Sequence, residues 1–451
     1  MRALTAAAAA HRADGAPSGV RVGVVHAPWA AASVSDIVRA ARGWCDVVLL
    51  FRNCVAKRYP GLIAMAKSLV EVAVADDDDL TTSVKDLALS GLTTFHDDEL
   101  DVTDAARAEF GLPGAVPPLR WDKLVQREVL AADGACRVRA TPVESPDDLE
   151  SGATALGMPG VLKPRRGTSS VGISFVTDRA RIEREIASRR NWDGLMYEQF
   201  IPPGSHPSGA GWLADYVSVE TVSDGTTHHH VSVFDKLPIS VAEHPRSLRP
   251  FDVRETGDVV PSRLPRPALA SVLAVATKAL DALGIRWRVS HTELRVSPDG
   301  IEIIEVNGRL GGEVARLLNL LGGPDLVAAD LSVALGRKPI FTGLPPGPYA
   351  GAVYVPFPVR AGDVNSDVRR ALIRRLPGVI GVDEVAHRGT PRAATQYRTA
   401  RLSVYGNHQI AFDRSLAGIA DGLAALFAAD GLADDPWLGL LRRRLHDDLS
   451  R

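Results

Sequence analysis

The sequence predicts a protein of several domains that combines α/β and α+β folds. In its amino-terminal part, apolar strand-like runs alternate with a helix-like segment, and this alternation is typical of a parallel sheet. In its central part, strand-like runs follow one another and close on a hairpin, which indicates a mixed sheet. The chain has 451 residues, enough for roughly two to four domains.

The composition is that of an ordinary globular protein, with 45% hydrophobic residues, 24% charged residues and a net charge of −2. This near-neutral balance argues against a nucleic-acid partner and against binding to a membrane surface. No run of about 18 apolar residues occurs, so we expect no transmembrane helix. The three cysteines form no CxxC pair, which predicts no zinc site and suits a reducing, cytoplasmic location.

The amino-terminal part begins with an alanine-rich stretch that passes into a Gly/Pro/Ser segment, and we expect residues 1–19 to be a disordered leader. Residues 20–112 are predicted to form an α/β domain. Its expected strands and helices lie at residues 21–27, 33–42, 46–51, 69–74 and 81–89. The domain has no GxGxxG turn, so nothing in it predicts a dinucleotide site.

A Pro/Gly-rich connection leads into the central part, which begins at about residue 113. Helices are expected at 121–132 and 268–283, and strands at 161–164, 196–201, 215–222 and 228–235. A second Pro/Gly-rich stretch begins at Gly343 and predicts a linker. We therefore expect residues 342–451 to form a carboxyl-terminal α/β or β-rich module.

The most informative segment is a predicted hairpin, in which SHTE ends at Glu293 and EVNGR begins at Glu305. Side chains alternate along a strand, so Glu305, Asn307 and Arg309 share one face, and Glu293 on the partner strand can face them. Two carboxylates and an amide oxygen suit Mg²⁺, and Arg309 can hold a phosphate beside it. The alternative is a charged surface hairpin with a Glu293–Arg309 ion pair.

A second informative segment is the Gly/Ser-rich loop that runs from Lys163 to Gly172, directly after a strand. Glycines allow a close approach of the backbone, and consecutive amides can cradle phosphate oxygens. The loop lacks the GK[ST] ending of a Walker A loop. Alone, it is equally typical of a mobile surface turn, and Lys123, forty residues earlier, of a surface helix.

Taken in order, these segments resemble the ATP-grasp superfamily. The matching motifs are DK at 122–123, KPRRGTSSVG at 163–172, YEQFI at 197–201, DYVSVE at 215–220, HTE at 291–293 and EVNGRLGG at 305–312. None is specific by itself, but their order and spacing together are. Within the superfamily the last two motifs look most like those of carboxylate–amine ligases, which include the bacterial L-amino acid ligases.

The resemblance implies an ATP-grasp fold, in which two α+β subdomains clamp ATP. The ATP-grasp domain would occupy residues 113–341, with a small lid subdomain at about 117–198 and a large subdomain at about 199–341. A Rossmann-like domain would precede it at 20–112, and the appended α/β module would follow it.

The resemblance also implies roles in nucleotide binding. Lys123 and Lys163 match the two lysines that contact the phosphates, and Lys163 is also expected to act in catalysis. The lid loop over the triphosphate contributes Thr168, Ser169, Ser170 and Gly172. The hinge strand that pairs with adenine contributes Glu198, Gln199, Phe200 and Ile201, and Asp215 is the candidate for the ribose.

At the reacting end, Glu293, Glu305 and Asn307 match the ligands of Mg²⁺, with Mn²⁺ as the alternative metal. Arg309 matches the catalytic arginine that binds the acyl-phosphate oxygens or the substrate carboxylate. Both assignments come from the resemblance, and they agree with the oxygen-rich patch expected from the hairpin.

Three further residues are candidates for the substrate site, each with a structural alternative. Arg288 either faces the substrate or pairs with an acid. His291 is within reach in sequence terms to act as the general base for the amine, but a strand histidine is as readily packed or hydrogen-bonded. Glu313, four residues after Arg309, either forms a polar pocket for a cationic or amine-rich group or is a first-turn helix residue favoured by the helix dipole.

The implied activity is that of an ATP-dependent ligase that forms an amide or peptide bond through an acyl phosphate and releases ADP and phosphate. Its partners would be a small-molecule carboxylate and an amine, with amino acids as first candidates, and a homodimer is expected because family members often dimerise. Two alternatives stay open: a purine-biosynthesis or carboxylase-type enzyme, and a catalytically silent ATP-binding regulatory protein.

Overall fold

The computed structural model describes residues 19–167, 172–243, 251–297, 299–356, 370–383, 398–429 and 436–450. The strands in this part of the chain form sheets of four, eight, two and four strands. No helix within these residues is long and apolar enough to cross a membrane.

The amino-terminal sheet is parallel, with the strand order β3-β2-β1-β4. Its strands are β1 (Arg21–Val25), β2 (Asp46–Arg52), β3 (Glu71–Ala75) and β4 (Gly91–Thr94). Its helices are α1 (Val34–Ala41), α2 (Asn53–Arg58), α3 (Pro60–Lys67), α4 (Thr81–Asp86) and α5 (Leu100–Glu109), with a 3₁₀ helix at Asp97–Glu99. The strand order reverses between β1 and β4, so the loops after these two strands border a crevice.

The strands of this sheet form where the sequence has continuous apolar runs, because helices cover both faces of a parallel sheet. Val24 in β1 and Leu49 and Leu50 in β2 are fully buried. Helix α1 begins at a capping box, in which the Ser33 hydroxyl accepts from the Asp36 amide at 3.2 Å. The predicted strands and helices of this region are present, whereas β4, with only four residues, was not predicted.

The second four-stranded sheet is antiparallel, with the order β5-β8-β6-β7. Its strands are β5 (Ala140–Val143), β6 (Gly160–Pro164), β7 (Ser174–Val176) and β8 (Leu195–Gln199). Helix α6 (Lys123–Ala132) precedes it, and α7 (Pro146–Leu156) and α8 (Arg179–Ser188) lie between its strands in sequence. Because Lys163 in β6 is opposite Met196 in β8, Glu198 is its diagonal neighbour.

The eight-stranded sheet has the order β15-β14-β9-β10-β13-β16-β18-β17 and is antiparallel throughout. Its strands are β9 (Tyr216–Ser223), β10 (His228–Lys236), β13 (Gly257–Val260), β14 (Arg288–Ser297), β15 (Gly300–Asn307), β16 (Tyr349–Pro356), β17 (Val379–Asp383) and β18 (Arg398–Gly406). A separate two-stranded antiparallel sheet pairs β11 (Ser240–Glu243) with β12 (Phe251–Arg254). The predicted boundary at residue 342 stays a prediction, but strands from both sides of it share this one sheet.

Helices pack against the large sheet. They are α9 (Arg266–Ala282), α10 (Val314–Leu320), α11 (Leu326–Ala334), α12 (Arg370–Ile373) and α13 (Gln409–Ala429), whereas α14 (Pro436–Leu449) packs against α13 and contacts β11. All nine residues of α11 are buried, because this helix contacts α1 and β4 on one side and β9 and β14 on the other. It therefore joins the amino-terminal sheet to the large sheet.

Arg288, the first residue of β14, makes a second connection between these two parts. Its guanidinium forms an ion pair with Asp104 of α5, donates to the Gly114 carbonyl at 2.8 Å and lies 4.9 Å above the Trp121 ring. The Trp121 indole N–H also donates to Asp104, at 2.7 Å. Arg288 is 2% exposed and does not line the cleft described below, so the geometry favours pairing with an acid over contact with a substrate.

Arg288→Met should lower the free energy of unfolding by about 3 kcal/mol, because it leaves the buried Asp104 carboxylate with less compensation. Urea unfolding would measure this loss against Arg444→Met, which removes an exposed arginine and should change stability little. An Arg288→Met protein as stable as the wild type would contradict the structural role.

Asp330 of α11 is a buried carboxyl group at the same junction. It is 1% exposed and accepts a hydrogen bond from the Thr93 hydroxyl of β4 at 2.5 Å. Burial raises the pKa of Asp330 from 3.8 to about 6, although the Thr93 hydrogen bond opposes this rise. The folded protein therefore binds a proton here more tightly than the unfolded chain does.

The stabilisation from this proton is fully present below about pH 4 and is lost as the pH rises through about 6. Relative to Asp330→Asn, the wild type should lose about 3 kcal/mol of unfolding free energy between roughly pH 4 and pH 8. Chemical unfolding across this range would measure the difference. The matched control is Asp133→Asn at an exposed position, where the difference from the wild type should stay flat.

Candidate active site

A cleft of about 650 Å³ lies where the amino-terminal sheet, the second four-stranded sheet (β5 to β8, the predicted lid) and the large sheet meet. Its walls are the loops that follow β1 and β4, the end of β6, the β14–β15 hairpin and the strands β16 and β18. Most of the residues predicted for phosphate, metal and acyl chemistry line this cleft: Lys123, Lys163, His291, Glu293, Glu305, Asn307, Arg309 and Glu313.

The predicted metal ligands lie together on the hairpin. Glu293 and Glu305 are directly opposite in the β14–β15 ladder, and Asn307 follows on the same face of β15. The Asn307 amide donates to Glu305 Oε1 at 2.9 Å. The ladder shifts register between Glu293 and Leu294. From His291 to Glu293 the register is regular, so the side-chain alternation that predicted this patch holds where the predicted metal ligands lie.

Lys123 approaches the hairpin from the first turn of α6. Its ammonium lies 3.3 Å from Glu305 Oε2 and donates to the Gly167 carbonyl, at the start of the lid loop, at 2.8 Å. Burial alone would raise the pKa of Glu305, but Lys123 and the Asn307 amide outweigh it and lower the pKa to about 2. Glu305 is therefore ionised at neutral pH and available as a metal ligand.

Lys163 reaches the cleft from the end of β6. Its ammonium lies 2.6 Å from Glu198 Oε1, and Arg127 Nε donates to the other Glu198 oxygen at 2.9 Å. Burial lowers the pKa of Lys163, and the Glu198 carboxylate partly offsets this effect. Lys163 is thus a buried cation held between a carboxylate and the open cleft.

The donor set on the hairpin fits a hard divalent cation such as Mg²⁺, because two carboxylates and an amide supply only oxygen ligands. Two ammonium groups flank it, with Lys123 beside Glu305 and Lys236 at 3.8 Å from Glu293. Within the part of the chain that the structure describes, no three His, Cys, Asp or Glu side chains cluster in a way that could hold a metal ion. The fit therefore depends on this mixed set of two carboxylates and Asn307.

His291 orients Glu293. One ring nitrogen of His291 lies 2.5 Å from Glu220 Oε1, and the other lies 3.1 Å from Glu293 Oε1. Burial lowers the pKa of His291, but the Glu220 carboxylate and the hydrogen bonds to Glu220 and Glu293 raise it overall to about 10. A protonated imidazole between two carboxylates is a donor and is poorly suited to act as a general base near neutral pH.

A second group of charged residues continues the wall from Glu293. Lys236 Nζ lies 2.7 Å from Asp258 and 3.7 Å from Glu255, and the Tyr354 hydroxyl donates to Asp258 at 2.6 Å. Burial raises the pKa of Glu255 to about 7, against the lowering effect of Lys236. These residues could not be grouped from the sequence, because Lys236, Asp258 and Tyr354 come from three strands that meet only in the folded sheet.

Arg309 also lines the cleft, but its partner is not the one that the hairpin suggested. It forms an ion pair with Asp97, in the 3₁₀ helix that follows β4, and donates to the Leu310 carbonyl at 2.8 Å. The alternative of a Glu293–Arg309 ion pair is therefore wrong. The acidic run that contains Asp97 lies at the carboxyl end of a parallel strand, a position that could have marked it as a site residue.

Glu313 stands where α10 begins, and it is 6% exposed. It forms an ion pair with Arg401 of β18, and Arg316 lies 3.6 Å from it. It lines the cleft and also precedes the first turn of a helix, so both interpretations of this residue are compatible with its position. The ion pair with Arg401 adds a contact that neither interpretation included.

The residues predicted for the base and the ribose do not line the cleft. Glu198 is occupied by Lys163 and Arg127, and the Gln199 side chain accepts from the Arg139 amide at 3.0 Å. Phe200 packs edge-on against Phe175, Ile201 is buried, and Asp215 accepts from the Gly204 amide at 2.8 Å.

The predicted lid loop is only partly described. Thr168, Ser169 and Ser170 lie outside the described residues, and Gly172 is described with a positive φ of 83°. A left-handed backbone at this position favours glycine. Gly167 is the last described residue before this gap, and its carbonyl accepts a hydrogen bond from Lys123.

No protein-family model matches the chain. Carnosine synthase 1 of Mus musculus is 30% identical over 279 residues, which are 58% of this chain and 32% of that protein. Alanine–anticapsin ligase of Bacillus subtilis (strain 168) is 23% identical over 190 residues, which are 39% of this chain and 38% of that protein. The chain thus spans less than two thirds of the length of each relative.

Among solved structures, the crystal structure of L-amino acid ligase from Bacillus licheniformis matches with a TM-score of 0.66 and 19% sequence identity. The match covers 90% of this chain and 98% of that chain. A likeness at this level of identity establishes a common fold, so this chain has the mixed α/β fold of the ATP-grasp enzymes. It is therefore similar to the ATP-grasp carboxylate–amine ligases, in fold over 90% of its length and in sequence over up to 58% of it.

Proposed function

We propose that this protein is an ATP-dependent carboxylate–amine ligase. It would use ATP to activate a small carboxylate, join it to an amine, and release ADP and phosphate. The observation that carries the proposal is the convergence, in one cleft, of Lys123 and Lys163 with Glu293, Glu305 and Arg309. Cations for phosphate, carboxylates for a metal and an arginine for an acyl group are together what phosphoryl transfer to a carboxylate requires.

The chemistry follows from the weakness of a carboxylate as an electrophile. Its oxygen attacks the γ-phosphorus of ATP, the bond to ADP breaks, and an acyl phosphate forms. The amine then attacks the acyl carbon, phosphate leaves, and the amine loses a proton. Positioning and charge compensation supply most of the catalysis in such reactions, so no strongly nucleophilic side chain is needed.

The residues of the cleft have distinct roles in this scheme. Lys123 and Lys163 would neutralise the phosphates, and Arg309 would orient the substrate carboxylate and the acyl phosphate. Glu293, Glu305 and Asn307 would hold Mg²⁺, which neutralises phosphate charge when bound. The Lys123 contacts to Gly167 and Glu305 support this arrangement, because one ammonium then touches both the lid and the hairpin.

We also propose that the adenine of ATP binds at the predicted hinge. Glu198 and Gln199 end β8, the strand beside Lys163, and Ile201 lies two residues beyond it, so the adenine would bind beyond Lys163, away from the hairpin. Thr168, Ser169, Ser170 and Gly172 would cover the triphosphate, and Asp215 would serve the ribose. Homodimerisation stays a prediction from the resemblance.

Amino acids are the first substrates to test. Two of the proteins compared above are named as ligases of amino acids or of alanine, which supports this choice without identifying either substrate. Glu313 and Asp258 line part of the cleft together with Arg401 and Lys236, so charged groups of both signs are available there to a substrate that carries an amine and a carboxylate. The purine-biosynthesis or carboxylase-type alternative predicts other substrates, and the silent alternative predicts none.

Phosphate release should depend on a pair of substrates. The purified protein, with ATP, Mg²⁺ and amino acids offered singly and in pairs, should release phosphate only with productive pairs, and mass spectrometry should detect the amide. Release with bicarbonate in place of a carboxylate–amine pair would favour the carboxylase-type alternative. ATP binding without any stimulated release, across amino acids and other small carboxylates, would favour the silent alternative.

Glu305→Gln should lower kcat by at least about a hundredfold with little change in stability, because it removes one of two carboxylates needed for the metal. Calorimetric titration with Mg²⁺ in the presence of a non-hydrolysable ATP analogue should show weakened metal binding in the same variant. Glu109→Gln, which neutralises an exposed carboxylate of α5, is the matched control and should behave as the wild type. Wild-type turnover and metal affinity in Glu305→Gln would refute the metal assignment.

A further inference from the structure

One wall of the cleft is apolar and remains unused by the proposed chemistry. It comes from the loop after β1 and from helix α3, and it includes Trp29, Leu62 and Met65. Trp29 is 60% exposed and Met65 is 43% exposed, although both are large apolar side chains. Burying such groups against another apolar surface is favourable, so exposed aromatic and thioether side chains inside a cleft indicate a binding surface.

Trp29 is held in place by its surroundings. Its backbone has a φ of 63°, in the left-handed region that bulky residues rarely adopt. Its ring lies edge-on to the Tyr59 ring at a centroid distance of 5.9 Å, and two residues later the Ala31 amide donates to the Phe95 carbonyl at 2.9 Å. An unusual backbone conformation persists only where the surrounding structure imposes it, and such residues cluster at functional sites.

The position of this wall in the fold also points to a ligand. Trp29 lies in the loop after β1, and Phe95 and Asp97 lie in the segment after β4. These are the two segments that border the crevice where the strand order reverses, which is where open parallel sheets bind ligands.

The same crevice contains the acyl end of the proposed site. Asp97, in the segment after β4, forms the ion pair with Arg309, and both residues line the same cleft as Trp29. A carboxylate received by Arg309 would therefore place the remainder of its own molecule near the amino-terminal wall. The amine substrate would approach from the charged wall that contains Glu255, Asp258 and Lys236.

We infer that Trp29, with Leu62 and Met65, binds a bulky apolar side chain on the carboxylate substrate, and that Trp29 is a specificity-determining residue. This inference rests on the proposed ligase function and deepens it, because it names the chemical class of the acyl donor. The adenine of ATP is a poor candidate for this wall, since the hinge that would bind it lies at the end of β8, in the second four-stranded sheet.

The test compares Trp29→Ala and Trp29→Phe with the wild type. Ile340→Ala is the matched control, because Ile340 is 66% exposed and does not line the cleft. Alanine, leucine and phenylalanine are offered in pairs with one another, and tandem mass spectrometry reads which residue donates the acyl group, since that residue becomes the amino-terminal one. Thermal unfolding of each variant checks that the fold is intact.

Trp29→Ala should lower kcat/KM for leucine and phenylalanine as acyl donors by at least about tenfold, with less than about a twofold change for alanine. Trp29→Phe should retain most of the activity with the bulky donors, and Ile340→Ala all of it. Equal losses for alanine and phenylalanine, no loss at all, or a loss confined to the bulky residue as amine would each overturn the inference.

A binding measurement separates failure of this inference from failure of the proposed function. Calorimetric titration of wild type and Trp29→Ala with leucine and phenylalanine needs no turnover. Binding that Trp29→Ala weakens, in a protein that never releases phosphate, would support the apolar site and refute the ligase. Turnover that is identical in wild type and Trp29→Ala would support the ligase and refute the site. If the wild type binds no apolar amino acid, the inference is overturned.

Discussion

The structure depends on the compensation of two carboxylates that face each other across one hairpin. Glu293 and Glu305 are opposite in the β14–β15 ladder, where like charges repel. Lys123 from α6, Lys236 from β10 and His291 from β14 compensate them. Lys123 and Lys236 come from elements outside the hairpin, so the assembly of α6 and β10 beside it compensates the two buried carboxylates.

Two arginines at the same end of the hairpin extend this dependence to the amino-terminal sheet. Arg309 forms an ion pair with Asp97, and Arg288 with Asp104, so both reach the segment that follows β4. Together with the buried helix α11, these pairs position the loops after β1 and β4 against the hairpin. The cleft is a consequence of this attachment, and its apolar wall, including Trp29, comes from a part of the chain that carries none of the recognised motifs.

Much of the fold was accessible from sequence because its signals are local. The alternation of apolar runs predicted β1, β2, β3 and α1, and the turn between two apolar runs predicted the β14–β15 hairpin. Short elements such as β4 were not predicted, since four residues are too few to show the periodic spacing of apolar side chains. The single sheet that contains β13, β16 and β18 was also not predicted, because strand pairing across a Pro/Gly-rich connection leaves no local pattern.

By itself, the sequence determined that Glu305 and Asn307 share one face, because side-chain alternation along a strand needs only neighbouring residues. It predicted that Glu293 can face them, and the strand register places Glu293 opposite Glu305. It also determined the order of the motifs, from which the resemblance to ATP-grasp ligases follows. Only the tertiary structure decided the partners: Arg309 pairs with Asp97, 212 residues away, and Arg288 with Asp104, 184 residues away. Ion-pair partners at such separations are chosen by the packing of whole elements, and no local pattern in the chain encodes them.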